Sequence, residues 1–359
     1  MKTVRKFSWS KFLLFLLILT VILAVSVIGI YKFELGSVSK STKSKLITIE
    51  KGDNYYSISK KLKKENLIKS ELCYQIYLKL TKPTGLSAGD YELNESMSTP
   101  EIVKVLSDKN NQKINEIKIT FREGLNIPAI AKIIEEKTNI KADEFISKVS
   151  DIEYIKTMQK DYWFLTDKIY NNQIYYPLEG YLFPDTYHFE KNKISAENII
   201  AKILENTEKK LEPYKNALEA KGNVHEILTL ASLVEEEAVT KEDRALVAGV
   251  FYNRLNSNMS LGSDVTTYYA AKKSLKDTLT KEELDACNGY NTRCKTMKGL
   301  PVGPISSPSI ISIEAAITPM TNDYYYFVAD TDRKVYFTKT LNEHNQTIAK
   351  LKSEGKWAA

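Results

Sequence analysis

Twenty consecutive residues, Phe12 to Tyr31, carry no charge, and their only polar side chains are Thr20, Ser26 and Tyr31. About 20 helical residues cross the hydrocarbon core of a bilayer. A helix on the surface of a soluble domain keeps a polar face, and this run has none. Lys2, Arg5, Lys6 and Lys11 precede it, with no acid among them. Positive charge stays on the cytoplasmic side. The pattern therefore predicts a cytoplasmic tail over 1–11, a transmembrane helix over 12–31, and an external location from about residue 32 onward. The other reading is a signal peptide cut near Ala24-Val25-Ser26. The run is longer than the apolar core of such peptides, which favours an anchor.

The net charge is +6, and the four basic residues before the apolar run leave +2 for the rest. That is no electrostatic footprint for nucleic acid. Lysine-rich stretches such as Lys60–Lys64 read as solvated faces. The three histidines, His188, His225 and His344, have no second ligand at zinc spacing, so no metal is expected. Cys73 is alone. Cys287 and Cys294 lie seven residues apart, and outside the cytoplasm they can form a local disulfide or stand as two thiols.

With 359 residues the chain has room for two or three domains. Residues 32–44 are polar and read as a linker. Residues 45–110 read as a small module. A strand at Leu46–Ile49 leads to a turn at Lys51-Gly52-Asp53, two helical segments follow, and a second strand lies near Ala88–Leu93. A further helix starts with Thr99 as N-cap and Pro100 at N1. Residues 115–150 repeat the opening of this plan: a strand at Ile117–Phe121, a Glu123-Gly124 turn, then a helix with Ile127, Ile130, Ala131 and Ile134 facing inward. From about 175 onward helices mix with short strands, which predicts an α+β domain. Near its end, Tyr324–Ala329 and Val335–Phe337 should form a hairpin around Asp330-Thr331-Asp332.

The segment His225–Ala238 reads as a helix ending in three acids. At about 100° per residue, Ile227, Leu230, Ala231, Leu233, Val234 and Ala238 share one broad face. Glu236 points to the opposite, solvated side, while Glu235 and Glu237 flank the apolar face. A carboxyl held against apolar surface keeps its proton to higher pH and can serve as a general acid. Periodicity does not choose between Glu235 and Glu237, and a solvated acidic helix end would look the same. Other segments gather aromatic rings with Asn, Asp and Arg: Gly180–Tyr187, Arg244, Asn253 and Arg254, Ser263-Asp264, and Tyr290–Thr292 before Gly299–Ile305. Rings for C–H faces and fixed polar partners for hydroxyls suit a sugar.

Taken together, LASLVEEEA (Leu230–Ala238), GYLFPDTY (Gly180–Tyr187), VAGVFYNRL (Val247–Leu255), YNT with GLPVGPISSP (Tyr290–Thr292, Gly299–Pro308) and YYFVAD…VYFTKTLNEHN (Tyr325–Asn345) resemble the endolytic murein transglycosylase family of YceG-like proteins. The resemblance covers nearly the whole chain. It implies an N-terminal anchor, a LysM-like module over 45–110 and a catalytic domain over 115–359, with 115–150 as a second βα subdomain. The last acid of the family's A-S-x-x-E-x-E segment is catalytic, which maps to Glu237. Tyr181, Asp185, Asn253, Arg254, Asp264 and Asn291 are the substrate-binding residues that the matched motifs imply. Family members often carry Gln two residues before the Asp matched by Asp264 and Pro after it. Here Gly262 and Val265 stand there, and the loop from CNGYNTRC to GLPVG is longer.

The implied reaction is a non-hydrolytic cut between MurNAc and GlcNAc in nascent peptidoglycan, leaving a 1,6-anhydro end. It needs neither metal nor organic cofactor. By the same resemblance the enzyme would limit strand length beside membrane-bound synthases. Two other readings stand beside it. A muramidase using water would require a second carboxylate, from Asp264, Asp185 or Glu235. A non-catalytic wall-binding scaffold would use the LysM-like module alone.

Overall fold

The computed structural model describes residues 9–83, 85–113, 116–220 and 224–357. Lys2, Arg5 and Lys6, which oriented the expected anchor, lie outside the described residues, as does the side chain of Lys11. The chain divides into two compact units, Met1–Asn115 and Glu116–Ala359.

The first unit opens with α1 (Trp9–Glu34). Its stretch Phe12–Glu34 is long and apolar enough to cross a membrane, and its large apolar side chains are exposed. After it come β1 (Lys45–Ile49), α2 (Tyr55–Lys64), α3 (Glu71–Thr81), β2 (Gly89–Leu93) and α4 (Thr99–Ser107). The two strands pair antiparallel with Ile47 opposite Tyr91. Alternation turns Ile47, Ile49, Tyr91 and Leu93 inward. Ile58 and Leu62 of α2, Tyr74 and Leu78 of α3, and Ile102 and Leu106 of α4 close the core from the helical side. Each such buried side chain contributes about 1.5–3 kcal/mol. Asn54 caps α2 through a reciprocal pair with Ser57. α4 begins one residue earlier than its sequence signature: Ser98 is the N-cap, bonded reciprocally to Glu101, while Thr99 is already helical and buried.

The second unit opens with β3 (Glu116–Thr120), α5 (Ile127–Lys137), α6 (Ala142–Val149), α7 (Ile152–Gln159) and β4 (Thr186–Glu190). β3 finds its partner only in β4, antiparallel, with Thr120 opposite Thr186. The strand–turn–helix segment at 115–150 is thus completed some 40 residues beyond its end, and its apolar residues enter the core of the whole unit. There follow α8 (Ala196–Leu211), α9 (Lys215–Ala220), α10 (Val224–Glu237), α11 (Lys241–Asn256), α12 (Asp264–Ala270), α13 (Lys281–Asp285), α14 (Ile310–Ile317), β5 (Tyr326–Ala329), β6 (Val335–Thr338) and α15 (Leu341–Ser353). β5 and β6 make the expected hairpin near the end of the chain.

α10 differs from its sequence reading. Every residue from Val224 to Val234 except Glu226 is buried, so the helix is enclosed on all sides rather than on one broad face. It packs against α11, α12 and α14. The enclosure tolerates Thr229 and Ser232 because their hydroxyls donate back to the carbonyls of His225 and Thr229, at 2.7 Å each.

Candidate active site

α10 ends in Glu235, Glu236 and Glu237, with no basic residue in its last turn. The C-terminal end of a helix carries partial negative charge, so three acids there oppose the helix dipole as well as one another. The surroundings resolve this conflict differently for each.

Glu235 is fully engaged. Its Oε1 accepts from Arg244 at 2.7 Å, and its side chain is only 5% exposed. Its Oε2 accepts from the Ser309 amide at 2.9 Å, the Ser309 hydroxyl at 2.6 Å and the Ser312 hydroxyl at 2.8 Å. It joins α10 to α11 and to the start of α14. A carboxylate paired at both oxygens and this little exposed is held in a structural role.

Glu236 corrects the sequence reading. It was expected in solvent; instead its Oε1 is buried without a hydrogen-bond partner. Gly124 lies over it in a turn at φ +75°, so close that a Cβ there would stand 2.8 Å from Oε1. The Gly124 amide donates to Ser307 O at 2.9 Å and the Ser307 amide to Leu125 O at 2.8 Å, which fastens the turn down. Burial pushes the pKa of Glu236 up to about 7, opposed by the nearby Ser306 hydroxyl and aided by the charge of Glu235. Helical periodicity missed this because the cover comes from a turn more than a hundred residues away.

Glu237 is partly accessible yet poorly hydrated. Burial raises its pKa to about 7; Asp264 and Glu236 add to the rise, while a hydrogen bond from Ser263 and the charge of Arg254 oppose it. The Ser263 hydroxyl donates to Oε1 at 2.6 Å. Asp264, at the start of α12, is exposed and ion-paired to Arg293. Arg254 comes from α11. Its Nε donates to Tyr325 O at 2.6 Å and Nη1 to Leu261 O, and its guanidinium lies 5.2 Å from the Tyr326 ring centre. At neutral pH this carboxyl is poised between giving and taking a proton.

A family pattern covers most of the same stretch of chain: that of the YceG-like family matches residues 47–350. The chain belongs to the YceG-like family. It is 38% identical over 316 residues to a Bacillus subtilis (strain 168) protein named endolytic murein transglycosylase, covering 87% of this chain and 86% of that one. A Streptococcus pneumoniae serotype 2 (strain D39) protein of the same name is 33% identical over 353 residues, covering 93% of this chain. This chain spans 64% of that longer protein. A crystal structure of a yceG-like protein from Listeria monocytogenes superposes with a TM-score of 0.61 at 36% identity, covering 86% of this chain and all of that one.

In this YceG-like chain the residues singled out from sequence do not all gather at Glu237. Arg254 and Asp264 do. Tyr181 is fully buried; its hydroxyl lies 2.8 Å from His225 Nδ1, and His225 Nε2 lies 2.8 Å from Val302 O. As placed, its ring has no surface to offer a sugar. Asp185 faces α8, with Lys210 at 3.2 Å and Asn206 at 3.2 Å. Asn253 donates to Asn322 O at 3.0 Å and Tyr324 O at 2.9 Å, holding the approach to β5. Asn291 is buried and donates to Ala286 O at 2.6 Å and Leu284 O at 3.1 Å. Each of these four side chains is engaged by other parts of the chain itself.

Two groups escaped sequence reading. Ser263 gave no signal beyond standing next to Asp264. Glu179 is 1% exposed; both its oxygens accept from the Ile127 amide at 3.1 Å, and Oε2 also accepts from Tyr269 at 3.0 Å. Burial pushes its pKa up to about 8. The neighbouring Gly180 carried the available hint: at φ +78° a Cβ would fall 2.3 Å from Pro304, so only glycine fits. Cys287 and Cys294 are bonded to each other, and Cys73 is free. Among the described residues no cluster of His, Cys, Asp and Glu is arranged to hold a metal ion.

Proposed function

We propose that this chain is a membrane-anchored endolytic peptidoglycan transglycosylase that cuts the β-1,4 bond between MurNAc and GlcNAc, with Glu237 as its acid and base. One observation carries the reading. Of the two α10 acids that titrate near neutrality, Glu237 has its Oε1 held by Ser263, whereas the Oε1 of Glu236 is buried beneath Gly124 without a partner, and Glu235 is locked by Arg244. The names of the Bacillus and Streptococcus relatives support the reaction class.

In this mechanism the Glu237 proton passes to the glycosidic oxygen as the C1–O bond of MurNAc breaks. The resulting carboxylate then accepts the proton of the MurNAc 6-hydroxyl as its oxygen bonds to C1. The products are a 1,6-anhydro-MurNAc end and a free GlcNAc 4-hydroxyl, Glu237 is protonated again, and no water is consumed. Asp264 beside Glu237 supports the competing hydrolase, in which a second carboxylate would activate water or form a glycosyl-enzyme. Its ion pair with Arg293 and its exposure fit a binding role better. We read Asp264 and Arg254 as substrate-side groups, and Tyr181, Asp185, Asn253 and Asn291 as supports of the subsite walls.

We further place α1 in the membrane with the basic tail inside and the second unit outside, by the charge pattern. The first unit's strand–helix–helix–strand order supports a LysM-like module. An anchor would hold the catalytic unit near the membrane, which supports action on nascent strands beside the synthases. The test is mass spectrometry of products released from purified peptidoglycan. Anhydro-MurNAc ends are expected; reducing MurNAc ends would transfer the assignment to a hydrolase.

A further inference from the structure

Ser263 is a small buried residue between α11 and α12, and its hydroxyl makes a 2.6 Å bond to Glu237 Oε1. Its own position is tightly determined. The Ser263 amide donates to Thr292 Oγ1 at 3.0 Å. Thr292 Oγ1 also lies 2.9 Å from Thr266 Oγ1, and the Thr292 amide donates to Thr266 Oγ1 at 3.1 Å. Thr266 Oγ1 in turn lies 2.7 Å from Ser263 O. Three buried hydroxyl residues thus form a closed knot beneath the carboxyl.

The knot is tied to a disulfide. Thr292 sits in the segment bounded by Cys287 and Cys294. The Cys294 amide donates to Asn291 O at 3.1 Å, and Asn291 Oδ1 accepts from Thr267 of α12 at 2.8 Å. The segment is therefore clamped onto α12 at two adjacent residues, and both Asn291 and Thr292 are buried. A chain of short contacts runs from the Cys287–Cys294 bond through Thr292 and Ser263 to the carboxyl.

We infer that Ser263 is the positioning residue of Glu237: it occupies Oε1, leaves Oε2 to carry the reacting proton, and stabilises the carboxylate formed once that proton has left. This rests on Glu237 being the acid and base. A hydroxyl that donates to a carboxylate favours the charged form. Glu237 must become a carboxylate in mid-reaction, amid Glu236 on its own helix and Asp264 on α12, both of which resist that charge. Arg254 on α11 is the facing cation, and Arg293 is engaged by Asp264. Ser263 supplies a neutral donor at the one oxygen that does no chemistry, so the carboxyl cannot swing between its two oxygens during the two proton transfers.

The test is the pH dependence of kcat for peptidoglycan cleavage by the full chain in detergent, comparing wild type with Ser263→Ala, Thr292→Val and Thr292→Ser, and with Glu237→Gln as the reference. Ser263→Ala should lower kcat roughly tenfold, the worth of one oriented hydrogen bond, with little change in KM. Without its donor, Glu237 holds its proton to higher pH, so the alkaline limb of the profile should move up. Thr292→Val removes the acceptor of the Ser263 amide and should shift the limb the same way, by less; Thr292→Ser should restore it. Limbs of Ser263→Ala and Thr292→Val that superimpose on wild type, while Glu237→Gln is inactive, overturn the role of Ser263 alone. Thr292→Val decides the matter if Ser263→Ala does not fold. A Glu237→Gln variant as active as wild type overturns the underlying assignment instead, and this inference with it.

Discussion

Both units hold surface carboxylates whose pKa is lowered by pairing, but among the described residues only the second holds carboxyls raised by burial. In the first unit, Asp53 is held below its usual range by the Lys61 ammonium at 2.6 Å, Glu95 by Lys45 at 3.0 Å, and Glu101 by the backbone and hydroxyl of Ser98. These are ordinary surface pairs and caps, weakened by solvent screening. In the second unit Glu179, Glu236 and Glu237 are pushed the other way, to about 8, 7 and 7, with burial the leading cause each time. The same contrast appears in the turns. Gly52 follows β1 with open space around it, whereas Gly124 follows β3 and presses on Glu236. A shared strand–turn–helix opening is a plain scaffold in one unit and a cover for acids in the other. Burial of carboxyls against their preference costs stability, and such costs collect at functional sites.

The largest expected effect separates structural from chemical acids within α10. Glu235→Ala would strip the largely buried Arg244 of its only carboxylate partner among the described residues, leaving it bonds to Ala238 O and the Ser309 hydroxyl, and should lower unfolding free energy by about 3–5 kcal/mol. Glu237→Gln should alter it by less than about 1 kcal/mol. Denaturant unfolding of both variants checks this, and equal losses would erase the distinction.

The next effect is on pH dependence. An acid whose folded pKa is raised binds more protons folded than unfolded, so its contribution is present below about pH 4.5 and is lost as pH rises through 7 to 8. The second unit should therefore lose a few kcal/mol between pH 5 and 8. The first unit, with lowered values, should hold steady there and weaken only in acid as its carboxylates gain protons. Hydrogen exchange resolved by segment would show the two trends, and parallel trends would break the comparison.

Redox treatment should divide the units again. Reduction, or Cys287→Ser with Cys294→Ser, should cost the second unit about 2 kcal/mol by releasing a short closed loop. Cys73→Ser should change little, because that thiol is unpaired. The smallest contrast lies in the turns. Gly52→Ala should cost about 1 kcal/mol for its positive φ alone. Gly124→Ala should cost about 1 kcal/mol more and also slow cleavage, because Glu236 must move.

Much of this was legible in advance because it is local. The apolar run, the alternation of Ile47 and Ile49, the β5–β6 hairpin and the α10 helix all follow from period and turn chemistry. The candidate Glu237 emerged from helical geometry only as one of two, and resemblance to a family selected it. What escaped was long-range. Glu236 looked solvated because nothing near it in sequence announces the Gly124 turn. The sequence shows the residue types of Tyr181, Asn253 and Asn291 but not that Tyr181 and Asn291 are buried or that Asn253 is bonded to Asn322 and Tyr324, because those partners are far away in the chain. Ser263 drew notice only as the neighbour of Asp264 and Glu179 only through Gly180, since a single hydroxyl or acid acquires meaning from partners 29 and 90 residues away, Thr292 and Tyr269.

The most direct test of the central claim is the rate of strand cleavage by the three glutamine variants of α10 at neutral pH, each first shown to be folded. Glu237→Gln should lose about two to four orders of magnitude, as expected for removal of a general acid. Glu236→Gln should stay within about tenfold of wild type, and Glu235→Gln should lose activity only in step with lost folded protein. A folded Glu237→Gln variant that cleaves at the wild-type rate, or a loss of that size confined to Glu236→Gln, would contradict the account.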